Sequence, residues 1–97
     1  MFFEMAQIEV LAGHAAEFEA GVTQALPLFA RAKGCGGAEL HRVIELQNRY
    51  VLLVRWETIE DHLVHFRQSD DFQKWRALVG QHFARAPEVA HTSLACG

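Results

Sequence analysis

Residues 50–75 read YVLLVRWETIEDHLVHFRQSDDFQKW. From Tyr50 to Trp56 the apolar side chains fall on both parities, Val51 and Leu53 on one and Leu52, Val54 and Trp56 on the other, as in a strand covered on both faces. Thr58 then supplies an N-cap for a helix reaching about Gln68, with Asp61 three residues on in the manner of a capping box. Ser69 opens a second helix whose inward face is Phe72, Trp75, Leu78, Val79, His82 and Phe83. Those inward faces hold titratable groups where an ordinary core carries Leu or Val. Trp56, His62 and Arg76 are thereby placed to meet in one cavity suited to a small aromatic ligand.

Upstream, Phe3, Met5 and Gln7 alternate with Phe2, Ala6, Ile8 and Val10, the period of a central strand. Leu11 to His14 turns the chain, and from Ala15 to about Lys33 the spacing of Phe18, Val22, Leu26 and Phe29 predicts an amphipathic helix that Pro27 should bend or divide near residue 26. Gly34-Cys35-Gly36-Gly37 stops it. Ala38 to Leu46 returns to strand, and Gln47-Asn48-Arg49 makes a hairpin turn into Tyr50–Trp56. Pro87 ends the last helix, and Glu88 to Ala95 reads as a final strand. The order βαββαβ is that of a ferredoxin-like split βαβ, an α+β fold with a four-stranded antiparallel sheet and helices on one face. The open face of such a sheet carries Val51 and Leu53, so a second copy is expected to cover it in a homodimer.

With 97 residues, 51% of them hydrophobic, the chain is sized for a single domain over 1–97. Nine Lys plus Arg against twelve Asp plus Glu, with no basic stripe, give no electrostatic footprint for nucleic acid. No apolar run approaches the roughly 20 residues that span a bilayer. The opening MFFEMAQIEV lacks a positive n-region, and a cytoplasmic location is expected. Cys35 at the start of the second strand and Cys96 at the end of the fourth, on opposite edges of the expected sheet, should be free thiols. His62 and His65 are spaced to bracket a metal, but spacing fixes no third ligand, so no metal is expected. Gly34 to Gly37 follows a helix and is no phosphate loop.

Trp56-Glu57-Thr58, Glu60, His62, Phe66, the Ser69-Asp70 pair, Phe72 and Trp75 together resemble the antibiotic biosynthesis monooxygenase superfamily of dimeric α+β barrels. Within it the pattern is similar to that of cofactor-free monooxygenases that oxidise polycyclic phenols to quinones. Their strand-end tryptophan falls on Trp56, their tyrosine on His62 and their cavity arginine on Arg76, whereas an asparagine four residues before the tryptophan is Leu52 here. In heme-degrading members the tryptophan falls on Phe66 and the iron-ligating histidine on Arg76, so heme chemistry is not expected.

The resemblance implies an oxygenase acting with dioxygen, without metal or flavin, on a small phenolic, quinol or polyketide-like aromatic. His62 would be base or proton relay, Trp56 a stacking platform and Arg76 the stabiliser of an anionic intermediate. Leu52, Phe66, Phe72, His65 and His82 would line the substrate cavity. The rival reading is a non-catalytic dimeric barrel that binds a small hydrophobic ligand or serves a stress or regulatory role, and it is favoured by Leu52 in place of the asparagine.

Overall fold

The computed structural model describes residues 1–97. Four strands, β1 (Phe2–Glu9), β2 (Cys35–Arg42), β3 (Arg49–Trp56) and β4 (Glu88–Thr92), form one antiparallel sheet in the order β2-β3-β1-β4. Helix α1 (Ala15–Ala30) connects β1 to β2. A π-helical turn (Asp61–Phe66), helix α2 (Asp70–Val79) and a 3-10 turn (Gly80–His82) connect β3 to β4. This is the expected ferredoxin-like arrangement. Both cysteines are free.

The sheet's inner face is read directly from its register. Glu4, Ala6 and Ile8 of β1 lie between Val54, Leu52 and Tyr50 of β3 on one side and, for Glu4 and Ala6, His91 and Val89 of β4 on the other. Leu52, Val54 and Trp56 are almost wholly buried against Phe18, Val22, Phe29, Phe66, Trp75 and Val79 from the helical layer. The opposite face carries Phe3, Met5, Val51 and Leu53, all partly exposed, with the Arg55 guanidinium 5.4 Å over the Phe3 ring.

Several expected boundaries move. Helix α1 ends at Ala30 rather than Lys33 and is not divided at Pro27. The proline lies in the last turn, where Arg31 N–H still reaches the Pro27 carbonyl at 3.2 Å. Strand β2 starts at Cys35, through the glycines, with an irregularity between Cys35 and Gly37, and stops at Arg42. Final strand β4 ends at Thr92 rather than Ala95. The helix expected from Thr58 to Gln68 is instead a wide π-helical turn. Ile59, which a regular helix would turn inward one turn before His62, is 48% exposed. The caps are as read: Thr58 Oγ1 accepts from Asp61 N–H at 3.1 Å and Ser69 Oγ from Phe72 N–H at 3.2 Å.

Candidate functional site

Beneath the π-helical turn lies a carboxylate that periodicity places on the wrong side of the solubility rule. Glu4 has the parity of Ala6 and Ile8, points into the protein and is only 6% exposed. A charge in such a place needs partners. Trp56, at the end of β3, donates its indole N–H to Glu4 Oε1 at 3.0 Å. His62 Nε2 lies 3.2 Å from the same oxygen, which leaves Oε2 as the oxygen without a protein partner.

A π-helical turn widens the ring of backbone atoms, and isolated turns of this kind recur at functional sites. Here it buries Asp61, His62 and Phe66 together. The His62 imidazole lies nearly parallel to the Trp56 indole, 13° between planes and 5.4 Å between centroids. Its other nitrogen, Nδ1, meets His91 Nε2 of edge strand β4 at 2.9 Å. Trp56, Glu4, His62 and His91 thus form a continuous row of polar contacts running from the core to an exposed strand.

Burial pushes the Glu4 carboxyl above its ordinary value, against the lowering pull of the Trp56 hydrogen bond and the Arg67 charge. Burial, joined by the His91 and Arg67 charges, pushes His62 down to about 4. The imidazole is therefore neutral at pH 7 and carries one ring proton. With that proton on Nε2 it accepts from His91 at Nδ1 and sets its N–H beside the Glu4 carboxylate as a close polar contact. With it on Nδ1 it donates to His91 and leaves Nε2 as a bare acceptor beside Glu4. In going from the first arrangement to the second, Glu4 would gain a proton and His91 Nε2 would give one up, which exposed His91 can regain from solvent.

Glu4 and His62 open onto a cavity of about 820 Å³ between sheet and helices. That is within the usual range for small-molecule pockets, roughly 300–1,000 Å³. Its lining is mixed, with Leu52, Phe66, Phe72 and Trp75 among the apolar residues, and two cations, Arg67 and Arg76, share the rim.

Of the residues singled out from sequence, His62, Leu52, Phe66, Phe72 and Arg76 do line this cavity. Trp56 does not. It is fully buried behind His62, so its ring faces an imidazole rather than a ligand. His65 is exposed and away from the wall, because the π-helical turn aims only Asp61, His62 and Phe66 inward. His82 is buried but outside the wall, paired with His14 at 3.0 Å. Glu4, His91 and Arg67 escaped the sequence reading. For Glu4 the signal was its parity with Ala6, Ile8 and Val10, and for His91 its parity with Val89. Arg67 carried none.

Comparison with known proteins gives one consistent result. The sequence profile of the antibiotic biosynthesis monooxygenase family matches residues 1–78. The chain is 37% identical over 91 residues to the uncharacterized protein YczJ of Bacillus subtilis, covering 94% of this chain and 96% of that one. A crystal structure of a candidate antibiotic biosynthesis monooxygenase from Bordetella bronchiseptica superposes with a TM-score of 0.96 at 55% identity, over 98% of this chain and 97% of that one. The structure of a variant of SnoaB, a cofactor-independent oxygenase from Streptomyces nogalater, superposes with a TM-score of 0.80, over 99% of this chain and 94% of that one. At 21% identity that last likeness is one of fold.

Proposed function

This chain belongs to the antibiotic biosynthesis monooxygenase family, and from that premise we propose that it is a cofactor-independent oxygenase acting on a small phenolic, quinol or polyketide-like aromatic. The observation that supports this most is the buried Glu4–His62 pair opening onto a partly apolar cavity with Arg67 and Arg76 at its rim. The description of SnoaB as a cofactor-independent oxygenase supports it at the level of fold.

In this reading the phenolic proton passes to the Glu4–His62 pair, which burial has made a better base than a solvated carboxylate. The resulting phenolate is electron-rich enough to reduce dioxygen itself. One oxygen atom joins the ring and the other leaves as water, so a phenol and O2 give a quinone and H2O. Arg67 and Arg76 offset negative charge on the phenolate and on the peroxide that precedes water loss. The apolar part of the wall shields that intermediate from water on its buried side. Trp56 acts from behind, its N–H fixing Glu4 Oε1 and its ring holding the His62 plane.

A second copy would cover the open sheet face, where Phe3, Met5, Val51 and Leu53 make an apolar centre rimmed by Glu39, His41 and Arg55. We expect this homodimer to work in the cytoplasm.

The test is oxygen uptake with a panel of naphthols, anthrones and hydroquinones. Oxygen-dependent quinone formation, with one atom of labelled dioxygen retained in product, is the expected result. Turnover unchanged under anaerobic conditions overturns the proposal. Leu52, which is 2% exposed and contributes no polar group to the wall, favours the rival reading of a ligand-binding barrel. In that case aromatic compounds bind and leave unchanged, and Glu4→Gln alters affinity alone.

A further inference from the structure

A second cluster of titratable side chains lies where α1 begins. His14 is the residue before the helix, Glu17 lies in its first turn, and His82 closes the 3-10 turn after α2. One ligand atom from each lies within 4.8 Å of the other two. The two Nδ1 atoms face each other at 3.0 Å. Two nitrogens bound to a single ion at about 2.0–2.1 Å stand roughly 2.9–3.3 Å apart for bond angles between octahedral and tetrahedral, so this spacing is already that of neighbouring ligands.

The backbone holds the two imidazoles in place independently of their own contact. Leu11 N–H donates to the His82 carbonyl at 2.9 Å, and the Leu11 carbonyl accepts from His14 N–H at 3.0 Å. Both histidines are thus tied to one residue. His14 and Glu17 are three apart, which puts them on the same side of the helix start. His82 is 4% exposed and Glu17 is exposed, so the cluster has a fixed floor and a wet side.

From this geometry we propose a divalent transition-metal site with His14 Nδ1, His82 Nδ1 and the Glu17 carboxylate as ligands and water completing the coordination. Two imidazoles and one carboxylate suit Zn2+ and its neighbours in the first transition row. Mg2+ and Ca2+ want oxygen sets, and no thiolate is present to select Cu+. The ion would clamp the start of α1 to the turn after α2. Gly80, Gln81 and Phe83, around His82, belong to the cavity wall, so the clamp would stiffen one side of the cavity without touching Glu4 or His62.

Calorimetric titration of tag-free, chelator-treated protein with Zn2+ tests this, with Co2+ absorption reporting nitrogen ligation and Mg2+ as a comparison. The expected result is one Zn2+ per chain in the micromolar range or tighter, with Mg2+ silent. Because His82 is buried and its replacement can impair folding, His14→Ala and Glu17→Gln are the variants of choice. Each should weaken Zn2+ by at least about tenfold and abolish the rise in Tm that Zn2+ gives the parent protein, while His62→Gln keeps full affinity. Absence of saturable binding, or binding that survives His14→Ala and Glu17→Gln together or is lost with His62→Gln, overturns the site.

Discussion

His62 and His91 meet at 2.9 Å beneath the π-helical turn, and His14 and His82 meet at 3.0 Å where α1 begins. The distances are alike and the arrangements are opposite. At the first pair the contacts use both nitrogens of His62, one toward His91 and the other toward Glu4, so the donor atoms are strung in a row. At the second, Nδ1 faces Nδ1 and a carboxylate joins from the side, so the donor atoms converge. A row passes a proton along; a convergent set holds an ion. What separates them is which edges of the rings the backbone presents, which residue type alone does not tell.

The largest expected effect distinguishes how firmly each region is built. Gly34 (φ +75) lies against the element that carries His62, and a Cβ there would fall 1.9 Å from Asp61 Oδ2. Gly34→Ala must strain the backbone and displace a buried carboxylate, and should lose about 3–4 kcal/mol in urea unfolding. Gly13 (φ +83), beside His14, has nothing within 4 Å of such a Cβ. Gly13→Ala should lose only about 1 kcal/mol, the backbone term alone. Equal losses would mean that the π-helical turn is no more tightly seated than the turn before α1.

Next comes chemistry. Glu4→Gln keeps an acceptor for the Trp56 N–H but cannot take a proton, so oxygenase turnover should fall about a hundredfold, or about 2.7 kcal/mol in the barrier, with the fold intact by circular dichroism. Turnover within a few-fold of the parent would remove Glu4 from the relay.

Acid sharpens the comparison further. His62 titrates at about 4 in the folded chain against 6.5 ordinarily. Between those values the unfolded chain binds a proton that the folded chain refuses, so stability falls as pH drops from 6.5 toward 4, by about 2–3 kcal/mol from this residue. Glu4 acts in the other sense. Its raised pKa favours the folded chain below the ordinary value of 4.5, and that contribution is lost as pH rises through the raised one. In His62→Gln the acid slope assigned to His62 should disappear from a series of urea melts; an unchanged slope would place the proton elsewhere.

The strands and their order were legible because alternation and turn residues are local signals. Leu52, Val54 and Trp56 announced an inner face, and Phe18, Val22 and Phe29 a helix packed on it. The site was legible only in part. His62 and Leu52 were found because they sit on recognisable faces, but Glu4 was passed over although its parity with Ala6 and Ile8 marked it as buried. The π-helical turn has neither of the usual periods, so the side of His65 was misjudged. His82 and His14 are 68 residues apart. No spacing rule brings them together.

The most direct measurement is the titration of His62 by nitrogen-15 NMR of its imidazole, assigned through loss of the signal in His62→Gln. A buried relay partner of Glu4 and His91 should titrate with a midpoint near 4 and stay neutral through pH 7, its tautomer shifting when Glu4→Gln removes the carboxylate. A midpoint near 6.5, with no response to Glu4→Gln, would show an imidazole in ordinary surroundings and contradict the relay.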